Sequence, residues 1–167
     1  MVTPLLGPSL EDLYQYCGNR FSLKTTLMIF YQILERIEWM HKKNFIHRDL
    51  KPDNIMLGLS EKSQTIHLID FGLARQVIDP HTGKHLPFKN DKNLVGTCRY
   101  VSINAHKGYE LSRRDDLITL GYVIINLFKG SLPWQHIDTT KPSARYRTLG
   151  RYKQKVSNVS LCTGCPR

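Results

Sequence analysis

The sequence predicts an α+β protein, mainly helical, in which short strands carry polar loops. Three observations predict it. Residues 23–42 repeat apolar side chains at helical spacing, with Leu27, Phe30, Tyr31, Leu34, Ile37 and Met40 forming the expected core face. Residues 116–129 are apolar nearly all round, from Leu117 and Ile118 through Val123 to Phe128, which marks a buried helix. Between those helices the apolar runs shrink to Phe45-Ile46, Ile55-Met56-Leu57 and Ile66–Ile69, strand lengths bounded by polar turns.

In chain order, Ser9-Leu10-Glu11-Asp12 is a capping-box-like start, followed by Leu10, Leu13 and Tyr14 on one face and Gly18 as a stop. Ser22 caps the helix of residues 23–42. After the three short strands, residues 73–101 show little periodicity. A turn at Asp79-Pro80-His81-Thr82-Gly83 there predicts a small hairpin between Gln76-Val77-Ile78 and His85–Phe88. Gly130 ends the second long helix, Leu132-Pro133-Trp134 begins a turn, and a short helix is expected from Ser143 to about Lys155.

A chain of 167 residues suits one domain with a real core, and its hydrophobic fraction of 41% is ordinary for a globular protein. No apolar run approaches the ~18–20 residues of a membrane span, and the N-terminal residues lack the pattern of a signal peptide. An intracellular location, in cytoplasm or nucleus, is expected, with no membrane partner. Cys17, Cys98, Cys162 and Cys165 do not make a secreted disulfide framework. Cys162-x-x-Cys165 has metal-compatible spacing but no second pair nearby, so it reads as two partly buried thiols. The net charge of +10 is uneven: residues 129–167 hold eight Lys and Arg against one acid, Asp138. A basic surface can meet nucleic acid, acidic lipid or acidic peptide, and composition does not choose among them. Without aromatic platforms or a binding motif, no specific nucleic acid is expected.

The chemistry lies in His47-Arg48-Asp49-Leu50-Lys51-Pro52-Asp53-Asn54 and in Asp70-Phe71-Gly72. The first meets H-R-D-L-x-x-x-N at every fixed position, and D-F-G follows in the right order. Phosphoryl transfer to a hydroxyl needs these groups: one carboxylate to receive the hydroxyl proton, a second carboxylate and an amide to hold magnesium against phosphates. Taken singly, an Asp-Phe-Gly is ordinary turn chemistry. The joint match points to the catalytic half of a protein kinase.

Further stretches resemble the casein kinase I family: residues 5–13, Asn44–Asp49, Asp91-Lys92-Asn93-Leu94, Gly96-Thr97-Cys98-Arg99-Tyr100, Ser112–Leu117 and Ser131-Leu132-Pro133-Trp134-Gln135. Ser102-Ile103-Asn104 stands where most protein kinases write Ala-Pro-Glu, a mark of that family. The resemblance implies a protein kinase-like C-terminal lobe. It divides the chain into a hinge (1–8), a lower lobe (9–135) and a basic C-terminal part (136–167), with the N-terminal lobe expected to be absent. The reaction it implies is transfer of the γ-phosphoryl group of Mg-ATP to protein Ser or Thr, on acidic or already phosphorylated substrates. ATP and Mg2+ are the expected cofactors.

The same resemblance implies the roles of individual residues. Asp49 would be the catalytic base, Lys51 would neutralise the transferring group, and Thr97 would bond to both. Asn54 and Asp70 would bind magnesium, and Leu6 would stand at the hinge beside adenine. Asp116 would anchor the catalytic loop. Arg99 and Arg145 would bind a substrate anion, and Arg48, Arg75 and Lys92 a second one, since guanidinium forks suit phosphate. Departures from the family are Ile118 for Glu, Cys98 for Ala, His136 for Gly, and a thinned basic run at residues 141–144. No G-x-G-x-x-G loop occurs in the 167 residues, so this chain alone is expected to be inactive. The competing readings are a catalytically silent interaction module, disfavoured by the unspoiled Asp49, Asn54 and Asp70, and a basic nucleic-acid-binding fragment.

Overall fold

The computed structural model describes residues 4–137 and 142–166, with side chains in the second stretch from Tyr146 onward. Ser9 opens α1 (Leu10–Tyr16) with a reciprocal capping box: its hydroxyl accepts the Asp12 amide, and Asp12 accepts the Ser9 amide at 2.9 Å. Ser22 caps α2 (Leu23–Lys42) by accepting from the Thr25 amide. Four short strands follow: β1 (Phe45–Ile46), β2 (Ile55–Leu57), β3 (Ile66–Leu68) and β4 (Arg75–Gln76). β2 and β3 form one antiparallel hairpin in the register Ile55 to Leu68, and β1 pairs with β4, a pairing the sequence reading lacked. The turn after β4 closes as a minimal hairpin, with a single bridge between Ile78 and His85.

The helical remainder comprises α3 (Ile103–His106), α4 (Arg113–Lys129), α5 (Pro142–Lys155) and α6 (Asn158–Leu161). α4 begins earlier than periodicity suggests, because Ser112 and Asp115 form its capping box. Gly130 ends it in the left-handed region, at φ +89°. The core runs between α1, α2, α4 and the β2–β3 hairpin, around Leu10, Ile33, Ile37, Ile55, Leu120 and Leu127. α1 is tied across it by the Tyr14 hydroxyl, which donates to the Gly130 carbonyl at 2.7 Å. Among the described residues no helix is long and apolar enough to cross a membrane.

Two expectations about faces need correction. The buried side of α2 is Thr26, Ile29, Ile33, Ile37 and Met40, while Leu27 and Tyr31 are 53% and 64% exposed. Ile37 and Met40 of the expected face are buried, but the stripe packed against β3 and α4 is turned toward Thr26, Ile29 and Ile33 and leaves the Leu27 and Tyr31 side outside. Nor is α4 buried all round: Leu117 and Ile118 are exposed. The groups turned inward at its start are polar, Asp115, Asp116 and Thr119. Cys162 is exposed, whereas Cys165 is half-buried.

Candidate active site

The loop from His47 to Asn54 leaves β1 and enters β2, and its backbone is not free to relax. Arg48 takes a left-handed φ of +69°, a conformation that costs a non-glycine residue energy. Asp116, at the start of α4, compensates. Its Oδ2 accepts the His47 amide at 2.8 Å and its Oδ1 accepts the Arg48 amide at 2.9 Å. His41 of α2 meets the same carboxylate, Nε2 to Oδ2 at 2.8 Å. The backbone of this loop is therefore held by a carboxylate at the start of α4.

The His47 imidazole is fully buried and joins the two acidic turns. Its Nδ1 accepts the Asp49 amide at 3.3 Å, which leaves Nε2 to donate to the Ile69 carbonyl at 3.1 Å. Ile69 in turn donates its amide to the Asn54 carbonyl at 3.0 Å. These bonds set the residue before Asp70 against the end of the catalytic loop. Asn54 and Asp70 are thereby brought together although one precedes β2 and the other follows β3.

Asp49 is the most heavily bonded group of the site. Its Oδ1 accepts from both the amide and the hydroxyl of Thr97, at 2.8 and 2.7 Å. Its Oδ2 lies 3.4 Å from Lys51 Nζ and 3.3 Å from Asn54 Nδ2. Oδ2, with the two longer contacts, is the oxygen with capacity left to take a proton. Thr97 reaches Asp49 because Gly96 sits at φ +91°, where a Cβ would collide with the Arg48 carbonyl. Thr97 was expected to bond to both Asp49 and Lys51. Its recorded bonds go to Asp49, to which Lys51 is also paired.

Asp70 takes a left-handed turn at φ +59°, and its Oδ1 accepts the Gly72 amide at 3.2 Å. The side chain is exposed, so its other oxygen is free for a ligand. Asn54 donates its amide hydrogens to the Asp49 carbonyl at 2.9 Å and to Oδ2, which leaves its own oxygen as an acceptor. Among the described residues no three His, Cys, Asp or Glu side chains cluster for a metal. One carboxylate and one amide oxygen suit magnesium, which keeps waters and takes phosphate oxygens for its remaining positions. Leu6 lies one residue before Gly7, whose amide donates to the Leu57 carbonyl at 2.8 Å and lines this segment along β2.

The predicted anion sites differ from each other. Arg99 is half-buried beside its neighbour Tyr100 and has no carboxylate partner among the described residues. Its predicted companion Arg145 falls on α5, but its side chain is outside the described residues, as is the run at residues 141–144. Arg48, Arg75 and Lys92 do line one small cavity, of about 170 Å³. Buried Glu110 is already there, 3.0 Å from Arg75 and 3.9 Å from Lys92, while Arg48 donates to the Leu73 carbonyl at 2.6 Å. Three cations against one carboxylate leave the cavity positive. Burial, and after it the neighbouring Arg75, lowers the Arg48 guanidinium below its ordinary pKa.

The sequence reading missed Asp115 and Glu110. Asp115 is buried, and its Oδ1 accepts from the Ser102 hydroxyl at 2.8 Å and the Asn104 amide at 2.9 Å. This gives Ser102-Ile103-Asn104 a physical reason, since both polar members grip one carboxylate. The adjacent acids in Arg113-Arg114-Asp115-Asp116 were the available signal. Asp115 serves the segment after Thr97, and Asp116 serves the catalytic loop. In comparison with known families, the protein kinase domain matches residues 1–160. That span takes in the catalytic loop, the Asp70 turn and the segment between Thr97 and Asp116, and the chain belongs to the protein kinase domain family.

Proposed function

We propose that the chain carries the acceptor-side machinery of a Ser/Thr protein kinase of casein kinase I type, acting on acidic or pre-phosphorylated protein substrates. The observation that carries this reading is the Asp49 carboxylate, oriented by Thr97 and Lys51 and set beside Asn54, with Asp70 delivered to the same place. In this reading Asp49 Oδ2 receives the proton of the acceptor hydroxyl as that oxygen attacks the γ-phosphorus, and the bond from this phosphorus to the bridging oxygen breaks to release ADP. Lys51, already paired to Asp49, offers positive charge to the transferring group. Arg99 receives an acidic or phosphorylated side chain of the substrate. A protein kinase domain uses Mg-ATP in general, and Asn54 and Asp70 would hold the ion, which supplies charge neutralisation on the phosphates.

Positioning and electrostatics supply nearly all of the catalysis in phosphoryl transfer. Residues 1–167 contain neither a Gly-rich loop nor a strand-borne lysine before the catalytic loop, so in a polypeptide of these residues alone the donor phosphates would lack contacts from that side. One well-placed transition-state contact is commonly worth about 10²–10³-fold. A polypeptide of residues 1–167 alone should therefore give no detectable transfer from radiolabelled ATP. A chimera with a casein kinase I upper lobe and closing C-terminal helices should phosphorylate an acidic peptide and lose that activity in Asp49→Asn. Robust transfer by residues 1–167 would refute the first expectation. A silent chimera would favour an interaction module instead.

A further inference from the structure

α5 belongs to the most basic part of the chain, yet one of its cations is withdrawn from solvent. Lys153 is 2% exposed, and no carboxylate faces it among the described residues. Its Nζ donates to the carbonyls of Cys98 at 2.9 Å and Val101 at 2.7 Å. It also lies 5.2 Å from the ring centroids of both Tyr122 and Trp134. Trp134, itself buried, donates its indole N–H to the Arg99 carbonyl at 2.9 Å. Three carbonyls of a single turn are thus held by two side chains from outside it.

Burying an ammonium without a counter-ion is costly, and an apolar side chain of similar volume would fill the space more cheaply. What the ammonium adds is its bonds. Its position follows from the backbone: α5 approaches α3 so closely at Gly150 that a Cβ there would stand 2.8 Å from the His106 Cβ. The turn is internally tied as well, with the Tyr100 and Val101 amides both donating to the Thr97 carbonyl, at 2.8 and 3.1 Å. Its leading residue, Thr97, is the one bonded twice to Asp49. A continuous chain of contacts therefore runs from α5 to the Asp49 carboxylate.

We propose that Lys153, together with Trp134, is a positioning residue that clamps the Thr97–Val101 turn, fixing Thr97 against Asp49 and setting where Arg99 meets an acceptor. The basic helix α5 then takes part in substrate selection through the buried Lys153. The clamp stands on the contacts alone; that it serves an acceptor rests on the kinase reading.

The test is amide hydrogen exchange, read by NMR on the full chain. Lys153→Met keeps the length and apolar stem but removes the charge and donors. It should speed exchange at Tyr100 and Val101 by at least about tenfold, since two hydrogen bonds to the turn are lost and one alone is worth about that factor. Ile33 and Ile37 in the core should change by less than about twofold. Trp134→Phe, which removes the indole donor, should loosen the same amides. In the chimera, Lys153→Met should raise KM for an acidic peptide and leave KM for ATP unchanged. Exchange at the turn unaltered in both variants overturns the proposal; if Lys153→Met does not fold, an unaltered turn in Trp134→Phe does so by itself. A chimera that transfers no phosphate, combined with a loosened turn in Lys153→Met, leaves the clamp standing and counts against the kinase reading alone.

Discussion

Thr97 gives both its amide and its hydroxyl to one oxygen of Asp49, at 2.8 and 2.7 Å. The pair joins residues 48 positions apart and orients the carboxylate without using its second oxygen. Thr97→Val keeps the amide bond and loses the hydroxyl. The expected cost is about 1–3 kcal/mol, for loss of a partly buried bond to a charged acceptor. In a chain of this size that lowers Tm by roughly 2–4 °C per kcal/mol in a thermal melt. A Tm equal to that of the parent would contradict the assignment.

Asp116 is the more severe case. Asp116→Asn offers one acceptor oxygen where the carboxylate offers two, so the His47 or the Arg48 amide is left without a partner in a buried setting. A loss of about 2–4 kcal/mol is expected in urea unfolding. Faster exchange should be confined first to the His47 and Arg48 amides. Equal stability of Asn and Asp forms would mean that the loop is held by something else.

Stability should depend on pH through the α3–α5 contact. Burial pushes Lys153 down to about 7 from 10.5, and burial followed by Lys153 itself pushes His106 down to about 4 from 6.5. Between about pH 7 and 10.5 the unfolded chain holds the lysine proton more tightly than the folded one, so stability rises with pH across that window. His106 does the same between about pH 4 and 6.5. The phenols of Tyr14, Tyr100 and Tyr122 are raised mainly by burial, which opposes further gain at alkaline pH. Urea midpoints should therefore climb above pH 7 and flatten near 10, and Lys153→Met should remove the climb. A climb that persists in the variant would assign it to other groups.

Arg99 separates substrate classes. In the active chimera, Arg99→Ala should weaken use of acidic or phosphorylated peptides while sparing neutral ones. A charge-assisted contact is worth roughly 1.5–3 kcal/mol, or about 10- to 100-fold in kcat/KM. Equal loss on both peptide classes would remove the anion-site assignment. Arg75→Ala should affect stability more than selectivity, because its partner Glu110 is buried and would lose its closer cation.

What the sequence determined by itself was local. Ser9, Ser22 and Gly130 marked helix ends because capping acts within three or four residues. The spacing from His47 to Asn54 and the Asp70 turn was legible because the chemistry needs those groups in that order. Periodicity also showed that α2 and α4 are helices, since helical spacing is a property of neighbours along the chain. It could not show how α2 is turned, for apolar residues stand on opposite sides of it, Leu27 and Ile29 being about 200° apart, and only docking on β3 and α4 buries Ile29. The tertiary structure alone decided that Glu110 fills the second cation group. It also decided that Lys153 leaves solvent for two carbonyls more than 50 residues distant. The cause is the same in both cases: these bonds form only after distant segments pack.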